Sequence, residues 1–178
     1  MIQALLTVCV LHLSFSVSAA IPYKKAANGK MNSYIADGVF TGGGKQGLAT
    51  LINVRRILAK NSKIDRWIFD LGDDTGKPLP IRPAYYHVAV EGKEKRIVIN
   101  LEDVTASRLD EDQIKTILKS SPYVADVSLR VDGAEKLTHL HILLKTNVEA
   151  EVFELPAKDY GGRIAVDVRP KRLAKNGK

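Results

Sequence analysis

His139 and His141 stand two apart in a run of strand-forming residues, so an extended chain points both imidazoles to one face. Two imidazoles on one face can share a metal ion, and His87 could add a third donor. A catalytic zinc centre needs three ligands and a base. Here His139 takes the place of an arginine in a repeated phrase, and His141 aligns with Ile68 of that phrase. The expectation is therefore no metal and no other cofactor, with His139 and His141 the weak candidates. A Ser-His-Asp triad has no supporting spacing or nucleophile elbow. The single cysteine, Cys9, lies in an apolar leader, which removes thiol and disulfide chemistry from the body. The acidic pairs Asp73-Asp74 and Glu102-Asp103 fall in loops beside many other acids. The chain is expected not to be an enzyme.

Residues that could hold a ligand are clearer. Arg66, Arg96 and Arg163 each open a short apolar run, and a guanidinium suits bidentate pairing with carboxylates. The same arginines could instead pair internally with Asp70, Asn100 or Asp167. Tyr85, Tyr86 and Tyr160 sit near loops and could stack on sugar rings. Trp67 could do the same, but Trp67, Phe69 and Leu71 alternate with Arg66, Ile68 and Asp70. That alternation places the large apolar side chains on one strand face, in a core. Burying such a ring stabilises by about 2–3 kcal/mol.

The element that positions these residues is a repeated strand phrase. Arg66–Leu71 (Arg-Trp-Ile-Phe-Asp-Leu) returns at Arg96–Leu101, at Arg163–Val168 and, in worn form, at His139–Leu144. Each run is too short for a helix and rich in β-branched and aromatic residues. Val54–Leu71 aligns without a gap onto Val127–Leu144 at an offset of 73. A second pair follows each copy: His87–Val90 with Arg96–Leu101, then Glu151–Leu155 with Arg163–Val168. The connection containing residues 72–80 makes the first half longer. The chain thus reads as a tandem duplication of a four-strand unit. The expected fold is mainly all-β: a small pseudo-two-fold β-sandwich of about eight strands, with one short helix between the halves. That helix begins at Asp110, an N-cap with Gln113 three residues on, carries Ile114, Ile117 and Leu118 as a stripe, and closes at Pro122. It is expected to cover an open end or edge of the β layer.

The 178 residues leave room for one domain and its ends. Residues 1–20 lack any charged side chain and end in small residues, the pattern of a cleaved signal peptide. Their apolar stretch is short of the roughly 20 residues needed to span a bilayer, so no transmembrane segment is expected in the mature chain. Residues 21–47 hold scattered Lys, Asn and Gly and read as a flexible basic linker. Their glycine-rich stretch Gly42–Gly47 fails the phosphate-loop spacing, with Val39 and Gln46 at two required places. Residues 48–169 form the domain, and 170–178 a disordered basic tail. Residues 21–63 carry a charge of +7 and residues 64–168 a charge of −5, and residues 169–178 add five cations. In a secreted, periplasmic protein this favours anionic envelope polymers or lipid headgroups over nucleic acid.

The order of phrases resembles the AMIN domain of bacterial envelope proteins. The likeness runs through Leu51–Val54, Arg66–Leu71, Arg96–Leu101, Val127–Val131, Glu151–Leu155 and Arg163–Val168, roughly residues 48–169. The helix and the 72–80 loop are local elaborations on it. The resemblance implies a sandwich of two similar sheets related by a pseudo-two-fold. It also implies a non-catalytic periplasmic role in binding, or localising at, peptidoglycan, whose stem peptides offer carboxylates to the arginines. The alternative is a protein–protein assembly module, since the family occurs in cell-wall amidases and type IV pilus secretins.

Overall fold

The computed structural model describes residues 22–58, 63–156 and 161–171. The expected signal peptide, most of the basic tail and Tyr160 lie outside the described residues. Twelve strands and one helix follow in chain order: β1 (Tyr23–Lys25), β2 (Ala27–Asn28), β3 (Asp37–Gly42), β4 (Ala49–Leu58), β5 (Asp65–Asp73), β6 (Tyr86–Glu91), β7 (Arg96–Glu102), β8 (Val104–Ser107), α1 (Glu111–Lys119), β9 (Val124–Asp132), β10 (Leu137–Leu144), β11 (Val148–Leu155) and β12 (Arg163–Pro170). They form two six-stranded sheets, β1-β3-β6-β7-β10-β9 and β2-β11-β12-β5-β4-β8, here called sheets A and B. Among the described residues no helix is long and apolar enough to cross a membrane.

The duplication is written in the registers. In sheet A the order β6-β7-β10-β9 corresponds, element for element, to β11-β12-β5-β4 in sheet B. Each half of the repeat gives one hairpin to each sheet, so the halves interlock rather than sit side by side. Leu129 pairs with Leu140 as Arg56 pairs with Trp67, which keeps the offset of 73 at both positions. Asn100 pairs with His139 as Asp167 pairs with Arg66. The longer first half comes from the β5–β6 connection, residues 74–85, against 145–147 between β10 and β11.

The inner faces of both sheets supply one core. Trp67, Phe69 and Leu71 of β5 meet Ile97 and Ile99 of β7, Leu140 and Ile142 of β10, and Ile164 and Val166 of β12, all at most 1% exposed. The alternating apolar residues of the repeated phrase therefore pack the sandwich, as their period predicts. Helix α1 starts at a complete capping box, Asp110 with Gln113, and buries Ile114 and Leu118. It lies against β9, the last strand of sheet A. Its Glu111 Oε2 accepts the Leu129 amide at 2.9 Å, so the helix satisfies part of an open sheet edge.

One expectation is corrected. Residues 22–47 are not a flexible linker: they contribute β1, β2 and β3, and both sheets gain an edge strand from them. Phe40 is 2% exposed and joins the core. The residues here are mostly small or polar, so the strands are held by backbone pairing to β6 and β11 rather than by an apolar pattern. Composition alone does not carry that information. With β8, these strands raise the count from about eight to twelve.

Between β2 and β3 the chain crosses the outer face of sheet B. The amides of Met31 and Ser33 donate to Glu151 Oε1 at 2.8 and 2.9 Å. Lys30 Nζ is ion-paired with Asp167, and the Arg169 guanidinium lies 3.7 Å from the centre of the Tyr34 ring. Residues 30–34 thus form a strap held by side chains of β11 and β12.

Candidate functional site

The three motif arginines do not share a site. Arg66 donates from Nε and Nη2 to the two oxygens of Asp167 at 2.5 and 2.9 Å, beneath the strap on sheet B. Arg96 pairs with Glu91 through Nε at 2.7 Å across the β6–β7 hairpin. Arg163 donates to the Pro156 carbonyl at 2.5 Å. Arg66 and Arg96 thus make the internal pairs that their positions on the strands allow.

The histidine pair is likewise engaged with its own sheet. His139 Nδ1 is 2.9 Å from Asn100 Oδ1, and the His139 and His141 rings stand 6.5 Å apart on the outer face of sheet A. His87 Nε2 lies 2.8 Å from Glu102 Oε1. Among the described residues no group of three metal-donor side chains comes together.

A cleft of about 480 Å³ opens at one corner of sheet A. Its sides come from β1, β3, β6, the end of β7 and the 74–85 connection. Tyr23 and Tyr85 line it and are 68% and 47% exposed, so each presents an aromatic face to solvent. Lys25 and Thr41 follow along neighbouring strands, and the His87–Glu102 pair sits beside them. Two of the predicted tyrosines therefore meet here, and they differ: Tyr85 is a rim residue, whereas Tyr86 is fully buried and reaches into the end of the sandwich.

Local sequence explains how the cleft is built. Gly42 and Gly43 end β3 where the chain passes Tyr86. A side chain at Gly42 would collide with the Tyr86 hydroxyl, and one at Gly43, where φ is +79°, with the Ala84 carbonyl. The Gly43 amide donates to Glu154 Oε1 at 2.8 Å. Arg82 closes on the same carboxylate with two hydrogen bonds, 2.7 Å from Nη2 and 2.9 Å from Nε. Hydrogen bonding to Glu154 raises the Arg82 pKa further, so this side chain is a fixed cation at the cleft wall.

Tyr86 is the polar group without a match. Its hydroxyl finds no hydrogen-bond partner among the described residues. Burial, with the nearby Glu154 charge, pushes its pKa far up, so the phenol stays protonated and can donate. Replacing Tyr86 with phenylalanine is expected to leave stability unchanged or raise it by up to about 1 kcal/mol, because an unsatisfied buried hydroxyl is removed. Urea denaturation of the variant checks this, and a loss above about 1 kcal/mol would reveal a partner for the hydroxyl.

Sequence reasoning missed Tyr23, Lys25 and Arg82. The first two lie in the segment read as a linker, and Arg82 lies in a connection with no periodicity. The adjacency of Tyr23 to two lysines, Lys24 and Lys25, was the available signal. The assembled cleft offers aromatic faces, the Lys25 cation and the paired groups Arg82–Glu154 and His87–Glu102, which suits holding a polar ligand. No protein-family model matches the chain, and no curated protein sequence does.

Proposed function

We propose that this chain is a non-catalytic module of the bacterial envelope that binds peptidoglycan, or another anionic wall polymer, in the periplasm. The cleft at the corner of sheet A carries the reading. Tyr23 and Tyr85 are exposed at its rim, and Lys25 supplies positive charge beside them. Exposed tyrosines give large rigid contact area at low entropic cost, with a hydroxyl that tolerates water. The duplicated sandwich and the AMIN-like order of its phrases support the same reading, as does the uncharged leader at residues 1–20. Pull-down of the purified protein with insoluble wall sacculi is the test. Retention at low and at moderate salt is expected. A protein that stays in the supernatant at both has no wall affinity, and one released entirely by moderate salt behaves as a polycation rather than a specific binder.

The edge of sheet A favours a second reading, assembly with a protein partner. Strand β9 is the last strand of that sheet, and beyond Leu129, whose amide Glu111 of α1 accepts, Arg130 and Val131 are exposed. Such an edge can accept a strand from another chain. Co-purification of a defined partner in the absence of wall material, together with failure to bind sacculi, would favour this over wall binding.

A further inference from the structure

The internal two-fold places the open cleft against a site whose occupant is visible. His87, Asn100 and His139 lie side by side across β6, β7 and β10. Glu151, Asp167 and Arg66 lie side by side in the equivalent places across β11, β12 and β5. The next row continues the match: Tyr85 and Glu102 of sheet A answer Glu149 and Arg169 of sheet B. In sheet B these positions hold the strap. Two backbone amides sit on Glu151, a lysine sits on Asp167, and a tyrosine ring lies against Arg169. In sheet A the corresponding surface around His87, Glu102 and Tyr85 is the cleft.

The two sites share a backbone and differ in charge. The acids that receive the cationic strap, Glu151 and Asp167, are replaced by an imidazole and an amide, His87 and Asn100. Arg82 is bound to Glu154, so Lys25 is the cation of the cleft that has no ion-pair partner among the described residues. Of the acids there, Glu154 is held by Arg82 and the Gly43 amide, and Glu102 lies 2.8 Å from the His87 ring. With the two strap-binding acids replaced by neutral groups and Lys25 left without an ion-pair partner among the described residues, the cleft can take a carboxylate of an extended chain, the reverse of the strap.

We propose that the cleft recognises the peptide part of the wall polymer rather than its glycan. An extended, carboxylate-bearing peptide lies across β6 and β7 as residues 30–34 lie across β11 and β12. Lys25 takes a carboxylate, and Tyr23 and Tyr85 flank the chain. This rests on the wall-binding reading.

Titration calorimetry of the full protein with two probes separates the two ideas. One probe is the free tetrapeptide L-alanyl-γ-D-glutamyl-meso-diaminopimelyl-D-alanine, and the other is a peptide-free glycan of alternating N-acetylglucosamine and N-acetylmuramic acid. The tetrapeptide is expected to bind and to displace the protein from sacculi, and the glycan to do neither. Lys25→Glu should weaken tetrapeptide binding at least about tenfold, with an unchanged Tm. Retention on sacculi without tetrapeptide binding overturns this proposal and leaves the wall reading standing. Glycan binding alone, or a Lys25→Glu variant that binds tetrapeptide like the parent, also overturns it. Tetrapeptide binding by a protein that ignores sacculi keeps the cleft's ligand chemistry and removes the wall reading.

Discussion

Replacing Trp67 with alanine is expected to lower the free energy of unfolding by about 3–5 kcal/mol, among the largest losses available from one side chain. Trp67 is fully buried in β5, which lies between β12 and β4 inside sheet B. Its removal leaves a void that two packed sheets cannot collapse to fill, so the lost transfer energy and the cavity add. A second loss comes from its indole, which donates from Nε1 to Asp65 Oδ2 at 3.2 Å. Asp65 is itself fully buried and is held otherwise by Arg56 at 2.8 and 2.9 Å. Trp67→Phe keeps most of the volume and loses the hydrogen bond, so it should fall between the parent and alanine. Urea unfolding of the three proteins reads the order directly. A Trp67→Ala variant as stable as the parent would mean that the ring is a surface platform and not a core side chain. At temperatures where the variant remains folded, retention on sacculi should persist, because the ring does not line the cleft.

The fold was legible wherever side chains alternate strongly. The phrase at Arg66–Leu71 and its three relatives became β5, β7, β12 and β10, and the offset of 73 reappears as matched register in both sheets. Helix α1 followed from its capping box for the same reason, since capping depends on residues next to one another. The strap and the first three strands were not legible. The strap and β2 depend on partners more than a hundred positions away, such as Glu151 and Asp167, and β3 on β6 across about fifty, and a polar segment shows no period that announces them. The cleft was half legible for a related reason. Tyr85 and Tyr86 stand out in sequence, but only the fold brings Tyr23 and Arg82 beside them and sends Tyr86 inward while Tyr85 faces out. The arginines drew attention by recurring in the phrase, and the same recurrence placed Arg66 opposite an acid on the adjacent strand.

Replacing Asp167 with asparagine is expected to cost about 3 kcal/mol, because it leaves two cations facing a neutral amide at a water-poor site. The Asp167 side chain is fully buried, whereas those of Arg66 and Lys30 keep 30% and 28% of their exposure, which limits the loss to the lower end of the range for buried pairs. The repeat supplies its own control. At the equivalent place in sheet A the pair is His139 with Asn100, bonded at 2.9 Å without a carboxylate. The double variant Arg66→His with Asp167→Asn copies that pair into sheet B. It should be more stable than the sum of the single losses predicts, with a coupling energy of about 1–3 kcal/mol. Independent contributions in the cycle would show that the pair does not act as a unit. The pH dependence follows from the same carboxylate. Burial works to raise its pKa, but the hydrogen bonds and charges of Arg66 and Lys30 outweigh it and hold the pKa below the usual value. A carboxylate depressed in the folded state contributes its stability above the unfolded-state pKa, about 3.9, and loses it as pH falls through the lower folded value. The gap between the parent and Asp167→Asn should therefore be full at neutral pH and narrow below about pH 4. A gap that stays constant down to acid would mean that the ionised form of Asp167 is not what the two cations require.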